Sequence, residues 1–395
     1  MNQLEQLTEN ALGYAEAAMK AGNLSAVDLL VQGVLGADRG NARGLNLLNA
    51  LRSRLRLRIE NGAWVQEGAA PGPRYMLIKA WGYGYWADVC HVMGALLVCE
   101  MTGRIPVIHW GSNSRFRGSG GDAFRLHFKP VSTATIEDVT AAADGGIFPA
   151  KWTPRNLALE DLGKWDGPAS RMGAIWFLNR PEPVVVSDFY IGLVDLVAWI
   201  PPGHPMHGKS LHALHTYLAG RYLKPVDEVT GRIDAFRNAH FTGRDVLAVH
   251  IRGSDKANET GTIDQVNAQT VALMDAESAE TTLFVLTEDA NQLAAMQARY
   301  GDRVISTVSQ RATGTVNLPF QRDEQVDRVA LGHEVMVDTY LAMACDRFIG
   351  NGRSNVSNIV ALFRAWEPGT CRILEPLLLL ERNFSVYLPE AELRV

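Results

Sequence analysis

Apolar positions in the first sixty residues recur at helical spacing. Leu4, Leu7, Ala11, Leu12 and Ala15 line one face, a second apolar run covers 24–35, and a third, rich in Leu and Arg, covers 42–58. Ala21-Gly22-Asn23 and the stretch 38–41 break the pattern, so three helices are predicted within residues 1–62. Residues 62–74, with EGAAPGPR inside, read as a linker. The period then changes. An apolar run at 75–81 predicts a strand, Gly82-Tyr83-Gly84-Tyr85-Trp86-Ala87 a turn, 87–101 an apolar helix closed by Gly103, and 105–110 a second strand. Residues 113–121 (NSRFRGSGG) form a polar loop suited to lining a cleft. Between 124 and 245 the pattern yields only helices near 210–223 and 226–238, among aromatic segments and Pro-rich turns.

From Val246 onward strands and helices alternate. Strands are predicted at 246–251, 282–286, 303–306 and 347–349, with helices at 263–275, 291–300 and 329–345, and another starting within 350–357. The polar stretch 307–323 reads as a surface loop. Alternation of this kind predicts parallel sheets covered by helices. Three of the strands run into polar, charged or Gly/Ser turns: Arg252-Gly253-Ser254-Asp255-Lys256, Thr287-Glu288-Asp289, and Gly350 through Ser357. Open α/β sheets place their ligand crevice at the carboxyl ends of strands. For the first turn alone, an Arg–Asp pair tying a loop to the surface is the plain alternative.

Composition narrows the class. The 395 residues suffice for two core-bearing domains, and 47% hydrophobic with 21% charged residues is the profile of an ordinary globular protein. A formal net charge of -5 argues against a general nucleic-acid binder. Cys90, Cys99, Cys345 and Cys371 are too sparse for a disulfide framework or a zinc knuckle and read as buried free thiols. The N-terminus is polar and acidic where a signal peptide would be basic and then apolar, and no apolar run has the length of a membrane span. A cytoplasmic protein is expected. His204, His207, His212 and His215 crowd together, but without a carboxylate or Cys at ligand spacing they read as packing or surface groups, and no metal site is expected.

The chemistry lies in the turns. Arg252 and Lys256 offer positive charge, Glu288 and Asp289 acceptors for hydroxyls or base N–H groups, and Asp338 a further acceptor. Residues 350–357 form a helix-start nest with the hydroxyls of Ser354 and Ser357. That inventory suits a nucleotide diphosphate carrying a sugar. No G-x-x-x-x-G-K-[ST] loop occurs. GYGYWA matches G-x-G-x-x-A, the dinucleotide fingerprint, but the next strand ends His109-Trp110-Gly111 without an acid for a ribose, so a nicotinamide-dependent oxidoreductase rests on that match alone.

Four places together resemble the α1,6-fucosyltransferase superfamily, which includes the rhizobial nodulation-factor fucosyltransferases and, more distantly, the protein O-fucosyltransferases. Gly82-Tyr83-Gly84 with Gly103-Arg104 resembles the N-terminal Gly loop, and His250-Ile251-Arg252-Gly253-Ser254-Asp255-Lys256 the H-x-R-R-x-D-K motif. Thr287-Glu288-Asp289 resembles T-D-D/T-E-D, and Asp338 through Ser354 the D-x₇-D…S-S segment. The resemblance implies an α/β, GT-B-like fold: two Rossmann-type domains facing a cleft, an acceptor-side one over 75–240 and a nucleotide-sugar-binding one over 241–395. It implies inverting, metal-independent transfer of a sugar, fucose from GDP-fucose, to a glycan, glycolipid or protein acceptor, with no cofactor beyond the GDP-sugar. Arg252 would hold the β-phosphate and the leaving GDP, His250 and Asp338 would recognise guanine and its surroundings, Asp289 with Glu288 would sit at the nucleoside end, and Ser354 at the phosphates. Gly84-Tyr85 would close on the diphosphate from the other domain. Glu259 would act as general base, with Asp255 and Lys256 orienting it. One departure stands out: the family's second Arg is Gly253 here, with Arg353 or Arg115 as substitutes. A non-catalytic nucleotide-sugar-binding or docking protein on the same fold is the alternative. Residues 11–35 resemble one tetratricopeptide-type helix pair, so 1–62 are expected to serve as a cap, a self-association contact or a partner-docking arm.

Overall fold

The computed structural model describes residues 3–69, 71–158, 171–253, 263–313, 318 and 326–382. The predicted N-terminal helices are α1 (Gln3–Ala21), α2 (Leu24–Ala37) and α3 (Ala42–Arg54). Asn23 and Asn41 cap α2 and α3, their side chains accepting from the N–H groups of Ala26 (3.1 Å) and Gly44 (2.9 Å). Ala15 of α1 packs with Val27, Val31 and Leu35 of α2 and Leu48 and Leu51 of α3, and Leu12 is buried beside it on the same face. Helix α3 stops four residues earlier than its apolar period predicts. The next residues form an antiparallel hairpin, β1 (Leu57–Glu60) and β2 (Ala63–Gln66), where the periodicity had been read as more helix and then linker. The cause is Asn61-Gly62, both at positive φ (50° and 81°), the dipeptide that a two-residue hairpin turn requires. Trp64 then anchors the hairpin by donating its indole N–H to the Trp199 carbonyl (2.6 Å).

Two parallel sheets follow. In the first, β3 (Tyr75–Ile78), β4 (Ile105–Ile108), β5 (Ile147–Phe148) and β6 (Val184–Ser187) lie in the order β4-β3-β6-β5. Helix α4 (Tyr85–Thr102) joins β3 to β4 and is buried on nearly every side, which is why its sequence is apolar without amphipathic stripes. The Cα of Gly94, in its middle, faces the Ile191 carbonyl so closely that a Cβ would collide with it. Short helices α5 (Ile136–Ala142) and α6 (Ile175–Leu178) precede β5 and β6. Helices α7 (Leu211–Tyr222) and α8 (Asp227–His240) lead to the second sheet.

That sheet holds β7 (Val246–His250), β8 (Thr282–Leu286), β9 (Val304–Ile305), β10 (Arg347–Asn351) and β11 (Cys371–Leu374) in the order β11-β10-β7-β8-β9. Its helices are α9 (Ile263–Asp275), α10 (Ala290–Tyr300), α11 (Arg328–Ala344) and α12 (Asn355–Leu362). The chain builds outward from β7 through β8 and β9, then returns to add β10 on the other side. The topological switch therefore falls between β7 and β10, where ligands of such sheets bind. Both sheets share one core: Trp86 of α4 donates its indole N–H to Thr339 Oγ1 of α11 (2.9 Å), and α7 packs on both α4 and α12. No described helix is long and apolar enough to cross a membrane.

Candidate functional site

Between the carboxyl ends of the two sheets lies a cavity of about 530 Å³, lined from both. On the first sheet, the β3–α4 loop is shaped by Asp88, whose Oδ1 accepts the N–H groups of Gly82 (2.8 Å) and Tyr83 (3.1 Å). The Gly82 carbonyl accepts from Arg115 Nε (2.9 Å). Gly82 thus shapes the loop rather than facing a ligand, and its φ of 88° explains the glycine. Gly84 caps α4 without a side-chain acceptor, so the first turn of this long helix opens on the cavity. The Tyr85 ring is buried against Phe116 and His127, which leaves its backbone at the helix start as the part suited to an anion.

On the second sheet, β7 ends at His250, whose Nδ1 lies 2.8 Å from Ser357 Oγ. Ser357 Oγ also accepts the Asn351 N–H (3.1 Å), which ties the imidazole to the β10 turn. Burial, with the Arg252 charge behind it, lowers the His250 pKa to about 3. The ring is therefore neutral, and it lines the cleft. Ser354 caps α12 with its side chain uncommitted to the cap, and Arg353, Ser354 and Asn355 line the cavity. Gly350 and Gly352 let this turn close: a Cβ on Gly352 would strike the carbonyls of Glu375 and Pro376.

Arg252 projects into the cavity with Nη1 3.4 Å from Glu288 Oε1, the oxygen that also accepts the Gly253 N–H (3.2 Å). Asn267 holds the Arg252 carbonyl (2.7 Å). Gly253 has a packing reason here. A Cβ would lie 2.5 Å from both Cβ and Oδ2 of Asp289, so this turn admits no side chain where the related motif carries Arg. Of the proposed substitutes, Arg353 is paired with Glu381 (2.5 Å) and Glu375 (3.6 Å), and Arg115 holds the Gly loop.

Asp289 departs from the expected role. Its Oδ1 caps α10, accepting from Asn291 (2.8 Å) and Gln292 (3.2 Å), and it is Thr287 and Glu288 that line the cavity. An Asp immediately before a helix is a strong N-cap, and that use prevails. Asp338 of α11 does line the cavity. It accepts the Thr307 hydroxyl (2.5 Å), and burial raises its pKa to about 6. Beside it Glu334 accepts the Gln310 N–H (2.9 Å), and Arg311 ties the carbonyls of Thr287, Thr307 and Ser309. Lys256 and Glu259 lie outside the described residues.

Two groups of cavity residues carried no signal in the sequence. Arg171, 5.1 Å from the Trp81 ring, comes from the stretch whose pattern was unreadable. Asp195 and Arg382, 3.4 Å apart, join the first sheet's half to the C-terminal segment. Among the described residues no His/Cys/Asp/Glu group could hold a metal ion. The four crowded histidines engage Glu100 or backbone carbonyls.

Fold and site define a two-sheet α/β protein of GT-B-like arrangement with one large cleft at its switch points. No protein-family model matches the chain, and no curated protein sequence matches it. Among solved structures it is similar to the fucosyltransferase NodZ from Bradyrhizobium, with 19% identity over 74% of this chain and 94% of that one, TM-score 0.47. It is also similar to FUT1 of Arabidopsis thaliana in complex with GDP (12% identity, 91% and 80% covered, TM-score 0.47) and to POFUT1 in complex with GDP-fucose (14%, 78% and 99%, TM-score 0.46). Likenesses this distant carry nothing about activity, which rests on the residues of the cleft.

Proposed function

We propose that the chain is an inverting glycosyltransferase that takes fucose from GDP-fucose without a metal and delivers it to a glycan, glycolipid or protein acceptor in the cytoplasm. The observation that carries this reading is the convergence of two uncapped helix starts, α4 from one sheet and α12 from the other, on one cavity that also holds Arg252. Helix N-termini and a guanidinium are the groups that hold a diphosphate. His250 adds a neutral imidazole, and Ser354 a hydroxyl. Asp338 and Glu334 supply acceptors for the N–H edge of guanine, and Glu288 fixes Arg252. As the glycosidic bond breaks, negative charge grows on the leaving diphosphate, where these preorganised donors act most strongly. Glu259 is the general base we assign to the acceptor hydroxyl, oriented by Lys256. The sugar and guanine assignments come from the motif resemblance.

Calorimetric titration with GDP, GDP-fucose, GDP-mannose, UDP-GlcNAc and NAD tests the reading. Guanine nucleotides are expected to bind selectively, and Arg252→Ala to weaken them roughly ten- to hundredfold, the worth of one charge-assisted contact. No guanine-nucleotide binding by the wild-type protein would overturn it.

A further inference from the structure

Helix α2 touches the cleft's lining through one residue, Gln32. On its buried face Asp28 and Gln32 stand one turn apart, and Gln32 Nε2 donates to Asp28 Oδ1 (2.7 Å). Trp199 Nε1 donates to the same oxygen (2.9 Å). With its amide nitrogen so held, Gln32 turns Oε1 toward Arg382, whose Nη2 donates to it (3.2 Å) and to the Val194 carbonyl (3.2 Å). Arg382 Nε stands 3.4 Å from Asp195 Oδ1, and Nη1, itself buried, meets no acceptor among the described residues. Arg382, Val194 and Asp195 all line the cavity, and the Arg382 side chain remains 22% exposed.

We propose that α2, through Gln32, positions the Arg382 guanidinium for the nucleotide sugar in the cleft, which makes the helical segment a working part of the binding site. A guanidinium on a long, flexible stem loses considerable rotamer freedom on binding unless it is already held. Here two acceptors, from α2 and from the Val194 backbone, together with the Asp195 charge 3.4 Å from Nε, fix its plane beforehand. Gln32 is a positioning residue and Arg382 the group that meets ligand. The inference rests on the nucleotide-sugar reading of the same cleft.

A double-mutant cycle tests it. Gln32→Met keeps side-chain volume and helix propensity while removing the acceptor. GDP-fucose is titrated into the wild-type protein, Gln32→Met, Arg382→Ala and the double variant. Each single variant is expected to bind roughly five- to tenfold more weakly, and the double variant no more weakly than Arg382→Ala. Wild-type affinity in Gln32→Met, or losses that multiply in full, would overturn the positioning role. Should Gln32→Met fold poorly, Arg382→Lys, which keeps the charge but not the planar fork, is expected to bind about as weakly as Arg382→Ala; wild-type affinity there overturns the role equally. A wild-type protein that binds no guanine nucleotide removes the proposed function and this inference together, whereas binding unaltered by Gln32→Met removes the inference alone.

Discussion

Asp28→Asn isolates one buried ionisation that links the helical segment to the rest of the molecule. The carboxyl is fully buried, and burial is the first cause of its raised pKa; Asp195 nearby raises it further, while the donors Gln32 and Trp199 and the Arg382 charge oppose the shift. Among the described residues its Oδ2 has no hydrogen-bond partner. Moving a carboxyl from its ordinary 3.8 to about 7 makes ionisation inside the protein costlier by about 4 kcal/mol. Because the folded-state value lies above the unfolded one, the neutral acid's contribution to stability is fully present below about pH 4. It is lost progressively as pH rises to about 7, and the curve is flat beyond. Asparagine mimics the neutral acid at every pH. The stabilities of wild-type and Asp28→Asn protein, read from urea unfolding, should therefore differ by only about 1 kcal/mol at pH 4.5. They should separate in favour of the variant by up to about 4 kcal/mol at pH 8. All other titrations cancel in the difference. A stability difference that stays constant from pH 4.5 to pH 8, or a variant less stable at pH 8, would refute an uncompensated buried carboxyl.

Gly253→Ala places a methyl group 2.5 Å from Asp289 in a turn that also holds Arg252 and Glu288. We expect a stability loss of about 1–3 kcal/mol from overpacking, read as a lower thermal midpoint, together with weaker nucleotide binding; an unchanged midpoint would show that the turn yields freely. Thr339→Val removes the acceptor of the Trp86 indole N–H at the junction between α4 and α11. A buried donor left unpaired costs about 1–3 kcal/mol, and a urea midpoint equal to that of the wild-type protein would show the junction does not need this bond.

Legibility in the sequence followed how locally each feature is determined. The strands β7, β8 and β10 and their turns were readable because a buried β-branched run followed by Arg-Gly, Thr-Glu-Asp or Gly-Asn-Gly changes character within a few residues. So were His250, Arg252, Glu288, Asp338 and Ser354, which the fold does bring to one cavity. The hairpin at 57–66 was missed although Asn61-Gly62 announced it, because the Leu/Arg period of α3 runs smoothly into its first strand. Asp289 shows a different limit. A carboxylate one residue beyond a strand serves equally as ligand acceptor or helix cap, and only the placement of α10 decides. Arg171, Asp195 and Arg382 come from three separate parts of the chain and meet by tertiary packing alone, so no local spacing could group them.

Those residues change what the cleft selects for. Among the described lining residues, Arg171, Arg252, Arg353 and Arg382 face Asp195, Glu288, Glu334, Asp338 and Glu381. Arg252, Arg353 and Arg382 each stand within 4 Å of at least one carboxylate. Such a cavity is no general trap for anions, because the field of each guanidinium is largely balanced before any ligand arrives. What remains is directional: the first turns of α4 and α12, the neutral imidazole of His250 and guanidinium forks held by their partners. A bare phosphate would gain little from balanced charges, and nucleic acid would meet no continuous basic surface. On the reading proposed above, a ligand that carries a diphosphate together with a hydrogen-bonding base and sugar uses donors and acceptors at once, and selectivity rests on matched geometry rather than on net charge.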